Sequence, residues 1–261
     1  MAVHQRKDIE NSFVDVMSCI FKNTLLPNQF LLLIDGPISF TFENKIKEIK
    51  KKYSINIFQT NSNIGLAKIL NKGLELVNTE WVIRVDGDDL SHQNRFKTII
   101  EAIDDNVSII SSYITEFDEF NRRRVKKLPL THDKIIKFLK FRNPINHNAV
   151  AYKRLDVLSV GGYPDIFLKE DYGLWILMFH NQFKAKNLPV SLVDVNFDNN
   201  TISRRGGIKN IKSDILISKL LYKYHFINIL ELFIICFIRI AASISPSIVR
   251  KLVYQYFLRK T

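Results

Sequence analysis

The amino-acid sequence predicts an α/β protein with a doubly wound, mostly parallel sheet flanked by helices. Two short apolar runs, residues 30–34 and 81–85, each stop at Asp-Gly, as strands buried on both faces do when they end in a turn. Stretches with helical spacing of apolar residues separate such runs, so strands and helices alternate. At 261 residues and 46% hydrophobic, the chain is long enough and apolar enough to bury a sizeable core.

In chain order, residues 12–21 place Phe13, Val14, Val16, Met17, Ile20 and Phe21 at amphipathic helix spacing, with a break at Pro27. Residues 30–34 are a continuous apolar strand closed by Asp35-Gly36-Pro37; a charged helix over 43–52 and a strand over 55–59 follow. Leu66, Ile69, Leu70, Leu74 and Val77 share one face of a helix over 66–76. The strand over 81–85 then breaks into Asp86-Gly87-Asp88-Asp89, and a helix over 94–103 and a strand over 107–111 come next. Residues 121–127 read as a basic loop, a solvated face with a phosphate site as the alternative. A helix over 132–141 and a strand over 149–152 flank the irregular polar stretch Arg142-Asn143-Pro144-Ile145-Asn146-His147. Gly161-Gly162-Tyr163 forces a turn, and Glu170-Asp171 opens an apolar, buried helix in which Trp175 is a core residue. A sheet of this kind begins with a strand, of which only Ala2-Val3 is present, so the first strand is expected to be truncated.

Open α/β sheets bind ligands at the carboxyl ends of their strands. Asp35, Asp86, Asp88 and Asp89 are expected at that edge, where hard oxygen ligands suit Mg²⁺ or Mn²⁺ rather than zinc. Taken alone, these acids serve equally well as turn formers. Glu170 and Asp171 are favoured at a helix start by the helix dipole and are candidates for a general base, with plain N-terminal capping as the alternative.

Two cysteines far apart in sequence suggest neither a disulfide framework nor a zinc site and fit a reducing, cytosolic setting. Residues 1–10 lack the apolar segment of a secretory signal. The net charge is +12, and residues 201–261 hold eleven Lys and Arg against two acids. With no nucleic-acid motif beside it, a basic tail carrying apolar stretches points to an anionic membrane surface and not to nucleic acid. Residues 226–238 are too short, and too interrupted by Glu231, for the ~20 apolar residues a spanning helix needs. An amphipathic helix pair lying on the membrane is expected instead.

Seven blocks, in order, resemble glycosyltransferase family 2, in particular the bacterial enzymes that build O-antigen, capsule and exopolysaccharide. They are Leu33-Ile34-Asp35-Gly36-Pro37, Asn63-Ile64-Gly65-Leu66-Ala67, Arg84-Val85-Asp86-Gly87-Asp88-Asp89, the polar stretch ending at His147, Gly161-Gly162-Tyr163, Glu170-Asp171 through Trp175, and Arg204-Arg205-Gly206-Gly207. The resemblance implies a GT-A domain over residues 1–207, with a nucleotide-sugar half to about 111 and an acceptor half from 112, and a basic helical tail over 208–261. It implies an inverting transfer from a UDP-sugar to a saccharide on undecaprenyl diphosphate, at the cytoplasmic face of the inner membrane. Asp35 would accept the uracil imide N–H, with Asn63, Gly65 and Arg84 also in the donor site. Asp86 and Asp88 would form the DxD pair that meets the ribose and holds Mn²⁺ or Mg²⁺. Arg204 and Arg205 would contact the diphosphate, and His147 would stand near the acceptor. Asp171, with Glu170 second, would be the base. The short first strand leaves a second expectation, a non-catalytic nucleotide-sugar or glycan-binding subunit of a polysaccharide assembly complex.

Overall fold

The structure, a computed structural model, describes residues 1–118, 122–196 and 207–245. Its first half runs β1 (Ala2–Val3), α1 (Lys7–Phe21), β2 (Leu31–Ile34), α2 (Phe40–Lys52), β3 (Asn56–Gln59), α3 (Leu66–Leu76), β4 (Trp81–Ile83), β5 (Leu90–Ser91) and α4 (Arg95–Glu101). There follow β6 (Ile109–Phe117), β7 (Arg123–Lys126), α5 (His132–Leu139), a 3-10 turn at His147–Ala149, β8 (Ala151–Lys153), α6 (Arg154–Ser159), α7 (Glu170–His180) and β9 (Ala185–Asn196). Two helices close the described chain, α8 (Ile208–Lys223) and α9 (Ile229–Ile244).

β2 lies between β1 and β3 and pairs parallel with both. Leu32 and Ile34 pack with Phe13, Val16 and Met17 of α1 and Phe42 of α2, whereas Leu33 joins Ile69, Leu70 and Leu74 of α3 in a second cluster. Both faces of β2 are therefore covered, which is why its sequence is apolar without alternation. β1, although two residues long, receives a hydrogen bond from Asp35 N at Val3 O, 2.8 Å. On its far side Ala2 bridges in parallel to Asp86, so this short strand joins the parallel sheet to the acidic end of β4.

The second sheet has the order β4-β8-β6-β9-β5, with β7 paired to β6. Here β6 and β9 are parallel and the other pairings antiparallel. The basic segment expected as a solvated loop is, over Arg123–Lys126, a strand paired antiparallel with Ile114–Phe117 of β6. Lysine and arginine on such a strand discourage further pairing. β9 has no counterpart among the expected elements, because Pro189 interrupts its pattern. The β6 register slips where Leu188 and Ser191 pair with the consecutive residues Ser112 and Tyr113, leaving Pro189 and Val190 in a bulge.

α8 and α9 share a core with α7: Ile217, Leu221, Ile227 and Ile235 belong to the cluster that holds Leu174, Trp175 and Met178. Lys169, just before α7, pairs with the buried Asp214 of α8 at 2.8 Å. α9 starts in a capping box of Asn228 and Glu231, and Arg239 on its inner side donates to Tyr172 Oη of α7 at 3.0 Å. The opposite side leaves Leu230, Phe233, Ile234, Phe237 and Ile238 exposed. No helix among the described residues is long and apolar enough to cross a membrane.

The turn after β2 gives a test of this geometry. Gly36 and Gly65 both have positive φ, +89° and +94°, but a Cβ on Gly36 would lie 2.7 Å from Asn63 N while Gly65 has open space. Gly36→Ala is therefore expected to cost at least about 2 kcal/mol and Gly65→Ala about 1 kcal/mol, measured by denaturant unfolding. Equal costs would contradict the close approach of the two loops.

Candidate active site

After Ile83 the chain leaves the second sheet and turns across the end of β1. Arg84 N donates to Val150 O at 2.9 Å, and its side chain, 6% exposed, forms an ion pair with Asp86. Burial opposes the charge, but Asp86 outweighs it and raises the guanidinium pKa. The three acids that follow differ in exposure. Asp86 and Asp88 are open, with side chains 26% and 36% exposed, whereas Asp89 is buried and accepts a 2.7 Å hydrogen bond from Asn148 Nδ2. Burial, then the charges of Asp86 and Asp88, hold the Asp89 carboxyl well above the usual carboxylate range. Asp89 is thus a fixed part of the wall, and the two open carboxylates are those available to a ligand. Asp88 is paired with Arg6, and burial followed by the charge of Asp86 raises its pKa.

Arg95, at the start of α4, is fully buried. It donates to Ser91 Oγ at 2.9 Å, Arg84 O at 2.6 Å and Asn148 O at 2.8 Å, tying β5, the β4 turn and the 3-10 turn together. Burial lowers its pKa to about 10. Sequence reasoning passed over this residue; the available signal was a charge one helical turn before the core residue Ile99.

Asp35 ends β2 as expected, and its carboxylate closes the next loop. Oδ1 accepts from Ile64 N at 2.7 Å and Oδ2 from Gly65 N at 3.0 Å, at the start of α3. The residue is 6% exposed. Contact with a nucleobase would have to use the lone pairs that remain. Asn63 is exposed and leans on Asp35 O at 3.5 Å.

The loop before the 3-10 turn reaches both acidic stretches. Asn143 Nδ2 donates to Asp171 Oδ2 at 2.6 Å, and Asn148 holds Asp89. These two asparagines, rather than His147, are the loop's contacts to the acids. His147 lies in an aromatic layer against Tyr163 and Trp175. The Tyr163 hydroxyl gives its proton to Tyr152 Oη, so His147 Nε2, 3.1 Å from Tyr163 Oη, acts as the donor to it. Burial, then Arg84, keep this imidazole neutral.

At the start of α7, burial and then Asp171 push the Glu170 carboxyl up to about 7. Burial also raises Asp171, against hydrogen bonds from Tyr172 N and Asn143 that favour its ionised form. Arg84 favours ionisation of both acids, and Asp86 adds to the upward push on Glu170. The β4 turn and the start of α7 therefore share one electrostatic field, although more than 80 residues separate them in sequence. Arg204 and Arg205 lie outside the described residues.

Among the described residues no three His, Cys, Asp or Glu side chains converge as a metal cage. Two open carboxylates two residues apart, one raising the pKa of the other, fit a sparser arrangement. Mg²⁺ is commonly held by one or two carboxylates with phosphate oxygens and water completing the shell.

The profile of the family described as Glycosyl transferase family 2 matches residues 11–160. A UDP-Gal:alpha-D-GlcNAc-diphosphoundecaprenol beta-1,3-galactosyltransferase of Escherichia coli is 34% identical over 259 residues, 97% of this chain and 94% of that protein. The amylovoran biosynthesis glycosyltransferase AmsE of Erwinia amylovora is 29% identical, over 82% of this chain and 81% of its own. Among solved structures, S. aureus TarS 1-349 in complex with UDP-GlcNAc superposes with a TM-score of 0.66 at 13% identity, covering 98% of this chain and 75% of that one.

The raised pKa of Glu170 has a stability consequence of definite sign. The folded protein keeps this proton to a higher pH than the unfolded chain, so stability is lost as pH rises from the ordinary carboxylate range through about 7. Glu170→Gln removes that loss. It should raise stability at pH 8 by up to about 3 kcal/mol relative to wild type and change little at pH 4, measured by denaturant unfolding at both pH values. An equal effect at the two pH values would refute a strained carboxylate.

Proposed function

The chain belongs to glycosyltransferase family 2, and from that premise we propose that it serves bacterial surface polysaccharide synthesis, moving a sugar from a UDP-sugar to a saccharide on undecaprenyl diphosphate with inversion. This reading rests most on one observation: Asp86, one of the two open carboxylates, and the Glu170-Asp171 pair lie in the field of a single buried arginine. The likeness to the E. coli galactosyltransferase along nearly the whole chain supports the donor and acceptor classes.

In this reading the nucleotide lies against the loop that Asp35 closes, with Asn63 and Gly65 at its edge. Asp86, fixed by Arg84, meets the ribose. Asp86 and Asp88 would hold Mn²⁺ or Mg²⁺, which when bound supplies Lewis-acid stabilisation to the departing diphosphate. An acceptor hydroxyl attacks the anomeric carbon from the face opposite UDP. Its proton passes to Asp171, oriented by Asn143, while the neighbouring Glu170 tunes that carboxylate and is the second candidate base. Such proton transfer contributes about 10²–10⁴-fold to rate.

With such an acceptor the protein would work at the cytoplasmic face of the inner membrane. Support comes from the exposed apolar side of α9 and from the eleven Lys and Arg against two acids in residues 201–261, a charge suited to an anionic bilayer.

Two measurements check these statements. With UDP-galactose, Mn²⁺ and a GlcNAc-diphosphate lipid as substrates, Asp171→Asn should lower kcat by about 10²-fold or more with little change in KM, and Asp88→Ala should remove metal-stimulated transfer. Full activity in both variants would refute the mechanism. In vesicle flotation, wild type should bind phosphatidylglycerol vesicles more tightly than phosphatidylcholine vesicles, and a Phe233→Glu, Phe237→Glu double variant should lose binding. Undiminished binding by that variant, or burial of the same face in a stable dimer, would overturn the assignment of this surface to lipid.

A further inference from the structure

We propose that Arg6 is an exchangeable counter-ion of the donor site, neutralising Asp88 in the donor-free protein and passing to the donor diphosphate when a divalent cation takes Asp88. The inference rests on the reading of Asp86 and Asp88 as cation ligands and adds to it a residue that no motif marks.

The two open carboxylates have different partners. Asp86 is paired with Arg84, which is buried at 6% exposure and anchored in its strand extension. Asp88 is paired with Arg6, whose side chain is 28% exposed and comes from the turn between β1 and α1. Arg84 is fixed in place, whereas Arg6 can move through the rotation of its own stem. The backbone at Arg6 is extended, with φ −154° and ψ 129°, and its side chain caps nothing on α1. Its guanidinium is instead shared between Asp88 and Asp8, with Nε 2.6 Å from Asp8 Oδ1.

A divalent ion on Asp88 and a guanidinium on the same carboxylate repel each other, so cation binding weakens the Arg6 pair and favours its release. Asp8 then acts as a tether and keeps the freed guanidinium at the mouth of the crevice. That mouth is common to both parts of the donor site, since His4, in the same turn, feels the charges of Arg6, Asp35 and Asp88 together. A planar guanidinium suits a diphosphate because its paired N–H groups match two phosphate oxygens. Arg6 therefore stabilises the empty site with the same charge that it offers to the filled one, and the open carboxylates are never left without a cation nearby.

The test separates the two halves of this exchange by direct binding. Mn²⁺ alone is titrated into wild type, Arg6→Ala and Arg6→Lys by electron paramagnetic resonance, and UDP with saturating Mn²⁺ is then titrated by calorimetry. Arg6→Ala should bind bare Mn²⁺ up to about fivefold more tightly, because a competing ion pair is gone, yet bind UDP about tenfold more weakly. Arg6→Lys, which keeps charge and lacks the fork, should fall between. Unchanged affinities in Arg6→Ala, or a parallel fall in both with Mn²⁺ and UDP weakened alike, would overturn the proposal in favour of an inert or purely structural arginine. Absence of Mn²⁺ binding by wild type and variants even with UDP present would overturn the metal reading itself, and the exchange with it.

Discussion

A positive charge held out of water organises this molecule. The Arg84 guanidinium is almost fully buried, its backbone is fixed to Val150, and it forms an ion pair with Asp86. Its Nε has no hydrogen-bond partner, so the group retains capacity for more negative charge. Burying a charge is costly unless it is compensated. Asp86 beside it supplies part of that compensation, and Glu170 and Asp171, from a distant part of the chain, lie within its field. Removing this arginine would leave a cluster of carboxylates whose members already raise one another's proton affinity.

In the parallel half, β2 was legible because it is covered on both faces and is therefore written as an uninterrupted apolar run over residues 30–34, and α3 was legible from the helical spacing of its apolar residues over 66–76. The second sheet was harder to read. β9 contains a proline, and its partner accommodates it by a slip in register, so no period survives in the sequence. β7 is basic because it is an edge strand, and such charge looks the same as that of a solvated loop. In the site, the acids were legible because they stand at strand and helix ends. Exposure alone separates Asp89 from Asp86 and Asp88, and exposure depends on Asn148, which lies about sixty residues away in sequence. The roles of Arg95, Asn143 and Arg6 could not be read for the same reason, since each matters through a partner that only the fold brings near.

Among the described residues β1 stands at the end of the parallel sheet beside β2 and links it to the acidic turn after β4. Val3 accepts from Asp35, and Ala2 bridges to Asp86, so one dipeptide sets the relative height of the two acidic turns. Backbone pairing makes the link, and the buried Val3 side chain, packed with Val85 and against Gly87, supports it.

α9 carries its two kinds of contact on opposite sides. Glu231, Ile235 and Arg239 face the body of the protein, where Arg239 holds the tyrosine next to Asp171, while Phe233 and Phe237 point away. Because each residue advances an α-helix by 100°, these two faces are locked in angular phase. A substitution on the outer face leaves this phase unchanged. Insertion or deletion of one residue between Glu231 and Arg239 would rotate one face against the other and re-aim the whole catalytic body relative to whatever surface the helix rests on. The spacing within this helix, rather than the identity of its outer residues, thus fixes the direction in which its apolar face looks out from the body of the protein.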